Sequence, residues 1–171
     1  MKIVITGAVG HIGSFLIRDL VIHFPGVNIV MIDNMMTQRF SSLFNLPKTG
    51  NFQFIEGDVR TLNLNSIFEG ADSIIHLAAI TDAAGSFDKK VEVEENNYIS
   101  TLKVVNACLE TNSKLITLSS TSVYGTQNEV VDEECGEDEL QPQSPYAETK
   151  LKEERLISSL CKSDGLKAVT C

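Results

Sequence analysis

A chain of 171 residues, 43% apolar and 22% charged, has the size of one domain and enough apolar mass for a full core. Its formal net charge of -9 leaves no basic stripe to neutralise phosphates, which argues against a nucleic-acid partner. The four cysteines, Cys108, Cys135, Cys161 and Cys171, make no C-x-x-C pair with nearby histidines, so no metal site and no disulfide framework is expected, and reduced thiols in a cytoplasmic protein are the default.

The start, "MKIVITG", enters a strand pattern directly, without the apolar stretch of a signal peptide, and no run of about 18 apolar residues is present to cross a membrane. Short apolar runs then alternate with helical stretches: a strand at "KIVIT", a helix over 12–23, strands at "NIVMID" and "FQFIEG", a weak helix over 62–68, and a strand at "SIIHLAA". A long helix over 91–111, a strand at "KLITLSS", a helix from about 145 to 163 and a strand at "LKAVTC" complete the series. Buried strands alternating with helices predict an α/β fold, a Rossmann-type doubly wound parallel sheet in three αβα layers, with strand order 3-2-1-4-5-6 and ligands beyond the carboxyl ends of the strands. The acidic, proline-punctuated segment "VVDEECGEDELQPQS" reads as a solvated excursion, placed where it could also rim a site. Because the sequence stops at Cys171, within or at the end of a strand, a fragment of a longer chain is expected.

After the first strand, "TGAVGHIG" sets Gly7, Gly10 and Gly13 at the opening of a helix, the context in which a glycine turn admits a pyrophosphate to free backbone N–H groups. Asp33 ends the second strand 20 residues after Gly13, where a carboxylate accepts from ribose hydroxyls and repels a 2'-phosphate, favouring NAD over NADP; the bland alternative is a turn aspartate. Asp58 in "EGDVR" could meet the adenine or simply mark a turn. The alanines of "HLAA" allow close backbone approach, with His76 expected as a packed strand-end histidine. In "SPYAETK", Tyr146 and Lys150 share a helix face one turn apart, although proline, alanine, glutamate and lysine also describe an ordinary helix start.

Together "TGAVGHIG", "IDN", "GDVR", "HLAA", "ENNYIST", "SSTSVYG" and "SPYAETK" resemble the NAD-dependent epimerase/dehydratase family, the extended short-chain dehydrogenase/reductases, over the whole chain. The resemblance implies NAD as cofactor, held by Gly7, Gly10, His11, Ile12, Gly13, Asp33, Asn34, Asp58, Val59, Leu77, Ala78, Ala79 and Asn97 together with Tyr146 and Lys150. It implies Tyr146 as catalytic acid/base, assisted by Lys150, and Ser120 as a hydroxyl that bonds the reacting sugar oxygen, although Ser119, Thr121 and Ser122 are equally polar. A phenol ordinarily ionises near 10, so a phenolate base at neutral pH needs a fall of roughly 3 units, about 4 kcal/mol of differential stabilisation.

The family's dehydratases carry an Asp-Glu pair where this chain has Thr121 and Ser122, which favours a nucleotide-sugar 4-epimerase. Thr81 and Ser100 depart from the usual lysine and glycine and leave the substrate open. A reductase or dehydrogenase of a sugar or small carbonyl compound, and a non-catalytic NAD-binding domain, are the alternatives. The family pattern also implies a substrate domain beyond residue 171 and a homodimer through the two long helices, with Leu102, Val105, Leu109, Leu151 and Ile157 as a seam that would equally serve the core.

Overall fold

The computed structural model describes residues 1–81, 85–88, 90–127, 130–133 and 135–171; position 134 of the acidic segment lies outside them. The strands are β1 (Lys2–Thr6), β2 (Asn28–Asp33), β3 (Asn51–Glu56), β4 (Ser73–His76), β5 (Lys114–Thr117) and β6 (Ala168–Thr170). The helices are α1 (His11–His23), α2 (Leu64–Phe68), α3 (Lys90–Thr111) and α4 (Pro145–Ser163). All strand pairs are parallel, in the order β3-β2-β1-β4-β5-β6, so the doubly wound α/β sheet expected from the alternation is present.

Alternation within each strand divides the core. On β1, Ile3 and Ile5 join Ile17 and Val21 of α1, while Val4 faces the other way with Val30, Ile74 and Leu115 toward Val104 and Cys108 of α3 and Ile157 of α4. Val105 and Ile157 belong to this second core, Leu102 and Leu109 pack against it partly buried, and Leu151 is buried as well, so these side chains serve the core as their sequence pattern allowed.

Several elements are shorter than the apolar runs that announced them. The fourth strand ends at His76 rather than Ala79, because the Thr6 carbonyl takes the Leu77 N–H at 3.0 Å and the Thr6 hydroxyl then takes the N–H groups of Leu77 and Ala78 at 3.2 and 3.3 Å, turning the chain out of the ladder. The fifth stops at Thr117, and Ser120 instead caps a 3-10 turn over Thr121–Tyr124. Asn63 caps α2 by accepting from Ser66 N–H, which moves its start to Leu64. Helix α4 begins where its sequence places it: Ser144 accepts from Ala147 N–H at 3.2 Å, with Pro145 in the first turn.

The β1–α1 turn fixes the sheet edge where ligands would enter. Gly7 has φ +65, and a Cβ there would lie 2.7 Å from the backbone of Leu77 and Ala78; one on Gly13 would lie 2.6 Å from the carbonyls of Gly7 and Ala8. Arg18 of α1 binds the carbonyls of Ser42 at 3.0 Å and Phe44 at 2.8 Å, drawing the long β2–β3 connection over the same turn.

Gly7→Ala combines a left-handed backbone with a backbone clash and is expected to destabilise the protein by about 2–4 kcal/mol. Urea unfolding followed by circular dichroism checks this, with a lower midpoint at unchanged slope as the expected result.

Candidate functional site

A continuous cleft follows the carboxyl ends of β1 to β5. Gly7, Gly10, Leu77, Ala78 and Ala79 form its common floor, Thr37 borders both sides, and two lobes open on either side. Helix α1 points its amino end into this floor. Its N-cap is Gly10, which has no side chain to cap it, so the opening N–H groups at His11, Ile12 and Gly13 meet no side-chain acceptor from that position.

In the first lobe Asp33 bridges two backbone segments: its carboxylate accepts from Val9 N–H at 3.1 Å and Met35 N–H at 2.9 Å while remaining in the cleft wall. It is therefore both a turn aspartate and a cleft residue. Asn34 accepts from Met36 N–H at 3.1 Å. Asp58 receives Nε and Nη2 of Arg60, the latter at 2.6 Å, and this guanidinium holds its carboxyl below the usual carboxylate range. Val59 lines the wall beside it.

The second lobe gathers His11, Ile12, Gly13, Ser119, Tyr146 and Lys150. Tyr146 and Lys150 are 9% and 7% exposed, so the helix face they share is the one turned to the sheet edge. The Lys150 ammonium donates to the Leu118 carbonyl and to Glu153 Oε2, both at 3.0 Å. Ser120 does not line either lobe: its hydroxyl lies 2.8 Å from that of Ser122 and accepts from Ser122 N–H, whereas neighbouring Ser119 lines the cleft and donates to Glu154. Asn97 also stands behind the wall. It is buried and clamps Ile80 from both sides, accepting from its N–H at 2.8 Å and donating to its carbonyl at 2.9 Å. Asn96 and Ser100 line the first lobe, with the Ser100 hydroxyl turned back on the Asn96 carbonyl.

His76 is the buried strand-end histidine its position announced. Burial, and secondarily the Lys150 charge, push it down to about 3, so the ring is neutral. The network also fixes its tautomer. Thr6 Oγ1 already accepts two N–H groups, so its own proton goes to His76 Nδ1 at 2.6 Å, leaving Nε2–H to donate to Thr101 Oγ1 at 3.2 Å. Burial pushes the Cys108 thiol up to about 12, which makes it core packing rather than a nucleophile. Among the described residues no group of three or more His, Cys, Asp or Glu could hold a metal ion, and no helix is long and apolar enough to cross a membrane.

The motifs did not single out Thr6, Thr37, Arg39, Ser119 or Glu153, of which all but Thr6 and Glu153 line the second lobe. Glu153 did carry a signal: with Tyr146, Lys150 and Ile157 it occupies the i, i+4, i+7, i+11 stripe of α4, and an acidic residue on a buried stripe asks for a partner.

Comparison with known proteins gives this geometry its relatives. Over 180 aligned residues the chain is 35% identical to a trifunctional UDP-glucose 4,6-dehydratase/UDP-4-keto-6-deoxy-D-glucose 3,5-epimerase/UDP-4-keto-L-rhamnose-reductase of Arabidopsis thaliana, covering 99% of this chain and 26% of that protein. A UDP-N-acetylglucosamine 4-epimerase from Methanobrevibacter ruminantium M1, solved with UDP-N-acetylmuramic acid, superposes with a TM-score of 0.89 at 32% identity, over 99% of this chain and 53% of that one. A UDP-glucuronic acid 4-epimerase from Bacillus cereus, solved with UDP-glucuronic acid and NAD, gives 0.89 at 31% identity, over 99% and 55%. The chain thus spans about a quarter of the plant protein and about half of each epimerase. The NAD dependent epimerase/dehydratase family profile matches residues 3–171, and with the glycine turn and the Tyr146–Lys150 pair brought to one cleft, the chain belongs to that family.

Proposed function

We propose that the protein is an NAD-dependent nucleotide-sugar 4-epimerase, and that residues 1–171 form its cofactor-binding part. One observation carries the reading: a single cleft joins the glycine turn of β1–α1 to Tyr146 and Lys150 of α4. The cleft fits a dinucleotide. Backbone stands where a Cβ on Gly7 or Gly13 would be, the amino end of α1 is open to a pyrophosphate, and the Asp33 carboxylate stands in the first lobe for ribose hydroxyls. The adenine would lie against Asp58 and Val59, with Leu77, Ala78 and Ala79 beneath the dinucleotide.

When bound, the nicotinamide supplies reversible oxidation of a secondary alcohol. The residues of this chain would bind, orient and move the proton. Tyr146 accepts a proton from the sugar hydroxyl as the ketone forms and returns it as the alcohol is rebuilt. The Lys150 ammonium, with two of its three N–H groups already placed, offers the third to the cleft. Ser119, in the lining with its proton on Glu154, is the hydroxyl that would accept from a sugar hydroxyl; Ser120, one residue behind it, would have to leave Ser122 to serve. Thr121 and Ser122 provide no carboxyl for removing water, which favours epimerisation over dehydration within the family. Cytoplasmic location and a homodimer belong to the same proposal, with pairing through parts of α3 and α4 other than the buried apolar seam.

Turnover of UDP-, GDP-, CDP- or dTDP-sugars by the intact protein with NAD, inverting one stereocentre with no net change in reduced-nicotinamide absorbance, is the expected result. Stoichiometric change of the cofactor would instead identify a reductase, and NAD binding without turnover a binding module. Tyr146→Phe is expected to retain NAD binding and lower kcat by about 10²–10⁴-fold; unchanged turnover removes the assigned role. Asp33→Asn deletes the charge but keeps an acceptor for Val9 N–H, and is expected to weaken NAD about tenfold while narrowing discrimination against NADP, measured by calorimetric titration of both.

A further inference from the structure

Lys150 is held by more than the family motif accounts for. Its ammonium and the Glu153 carboxylate form an ion pair at 3.0 Å whose side chains are only 8% and 4% exposed. The second acceptor on the ammonium is the Leu118 carbonyl, immediately beyond β5, again at 3.0 Å. Glu153 Oε1 is buried and has no hydrogen-bond partner among the described residues. A buried carboxylate with one oxygen unsatisfied costs stability, and replacing such a pair with apolar packing is often neutral or favourable. Structural need alone therefore gives a weak reason for a glutamate at this place on the buried stripe of α4.

We propose that Glu153 is a positioning residue for Lys150: with the Leu118 carbonyl it clamps the ammonium on two sides, so that the remaining N–H is presented to a ligand in the cleft. The inference rests on the NAD-binding reading of that cleft. Without the clamp the four-carbon stem of Lys150 has several rotamers available, and a ligand would have to order it at the moment of binding. With the clamp that ordering is complete beforehand.

The clamp is titratable. Burial raises the Glu153 carboxyl above the usual range, opposed first by the Lys150 charge and hydrogen bond and then by the Thr101 hydroxyl of α3, which stands beyond hydrogen-bond distance; Glu154, the next residue on α4, adds to the rise. Across the interface, His76 of β4 is neutral, with Nε2 donating to Thr101, so it contributes no competing charge. Protonation of Glu153 removes the charge that grips Lys150. Ligand affinity should therefore fall as pH is lowered through a limb lying above the ordinary carboxylate range, while Asp58, held below that range by Arg60, stays ionised throughout.

Calorimetric titration of NAD into the intact protein across the mildly acidic to neutral range tests this. Unsubstituted protein is expected to lose about tenfold in affinity through the acid limb. Glu153→Gln, which keeps the shape and an acceptor, is expected to bind about tenfold more weakly at neutral pH and to show no limb. Glu153→Asp keeps the charge with a shorter reach and is expected to retain the limb, which preserves the test should the glutamine variant fold poorly. A glutamine variant that matches the unsubstituted protein in both affinity and pH profile overturns the clamp, as does an aspartate variant without a limb. A uniform loss at every pH, with the limb intact, also overturns it, because that is what a merely structural residue would produce. Absence of NAD binding by the unsubstituted protein overturns the cofactor reading and this inference together; binding with an indifferent Glu153 overturns only the inference.

Discussion

The close approach of the β1–α1 turn to the end of β4 is the constraint from which the cleft follows. Thr6 carries four of the contacts: its carbonyl ends the β4 ladder at Leu77, its hydroxyl collects the N–H groups of Leu77 and Ala78, and its proton reaches His76. Gly7 follows at φ +65 with the Leu77–Ala78 backbone where a side chain would be. Any bulk here would part β1 from the turn after β4 and close the floor that both lobes share. Because the strands are parallel, the same row continues through Ile32, Thr6, His76 and Thr117, so polarity introduced at β1 is passed across the sheet at one level. Beneath that level the row Val30, Val4, Ile74 and Leu115 is wholly apolar. The site sits where a hydrophobic sheet becomes polar, at the carboxyl ends of its strands.

The fold was legible because its signals were periodic and local. "KIVIT" and "NIVMID" form the strands β1 and β2 with the bounds their apolar runs announce, and Ser144–Pro145 starts α4 as capping chemistry requires. Strand ends were less legible. "HLAA" and "LSS" continue the apolar or β-prone pattern after the ladder has stopped, because what ends pairing is a hydroxyl on a different strand and a 3-10 cap, neither visible in the run itself. The cleft residues divide in the same manner. Gly7, Asp33, Tyr146 and Lys150 could be placed from spacing, since each follows a strand or shares a helix face with another. Asn97 and Ser120 could not: their amide and hydroxyl are engaged by Ile80 and Ser122, partners that only the folded chain brings near. Glu153 was legible only through its place on the Tyr146–Lys150–Ile157 stripe, and its partner became visible once packing removed it from water.

Burial of that charge bears on how the two helices cooperate. Helices α3 and α4 pack side by side over β4 and β5 through a shared apolar cluster. Into this seam the chain inserts His76, Thr101, Lys150 and Glu153, all less than 9% exposed. Such a cluster weakens the seam relative to a purely apolar one, because each polar group gives up water and the Glu153 carboxylate recovers only part of what it loses. What the cluster contributes is direction. A neutral histidine with a fixed tautomer, a threonine between it and α4, and a carboxylate on a lysine leave the ammonium few orientations, and the residue ahead of it on the same face is Tyr146. Polar groups buried at a cost and converging on one cation beside a cleft are the arrangement expected when orientation of that cation matters more than the stability given up to obtain it.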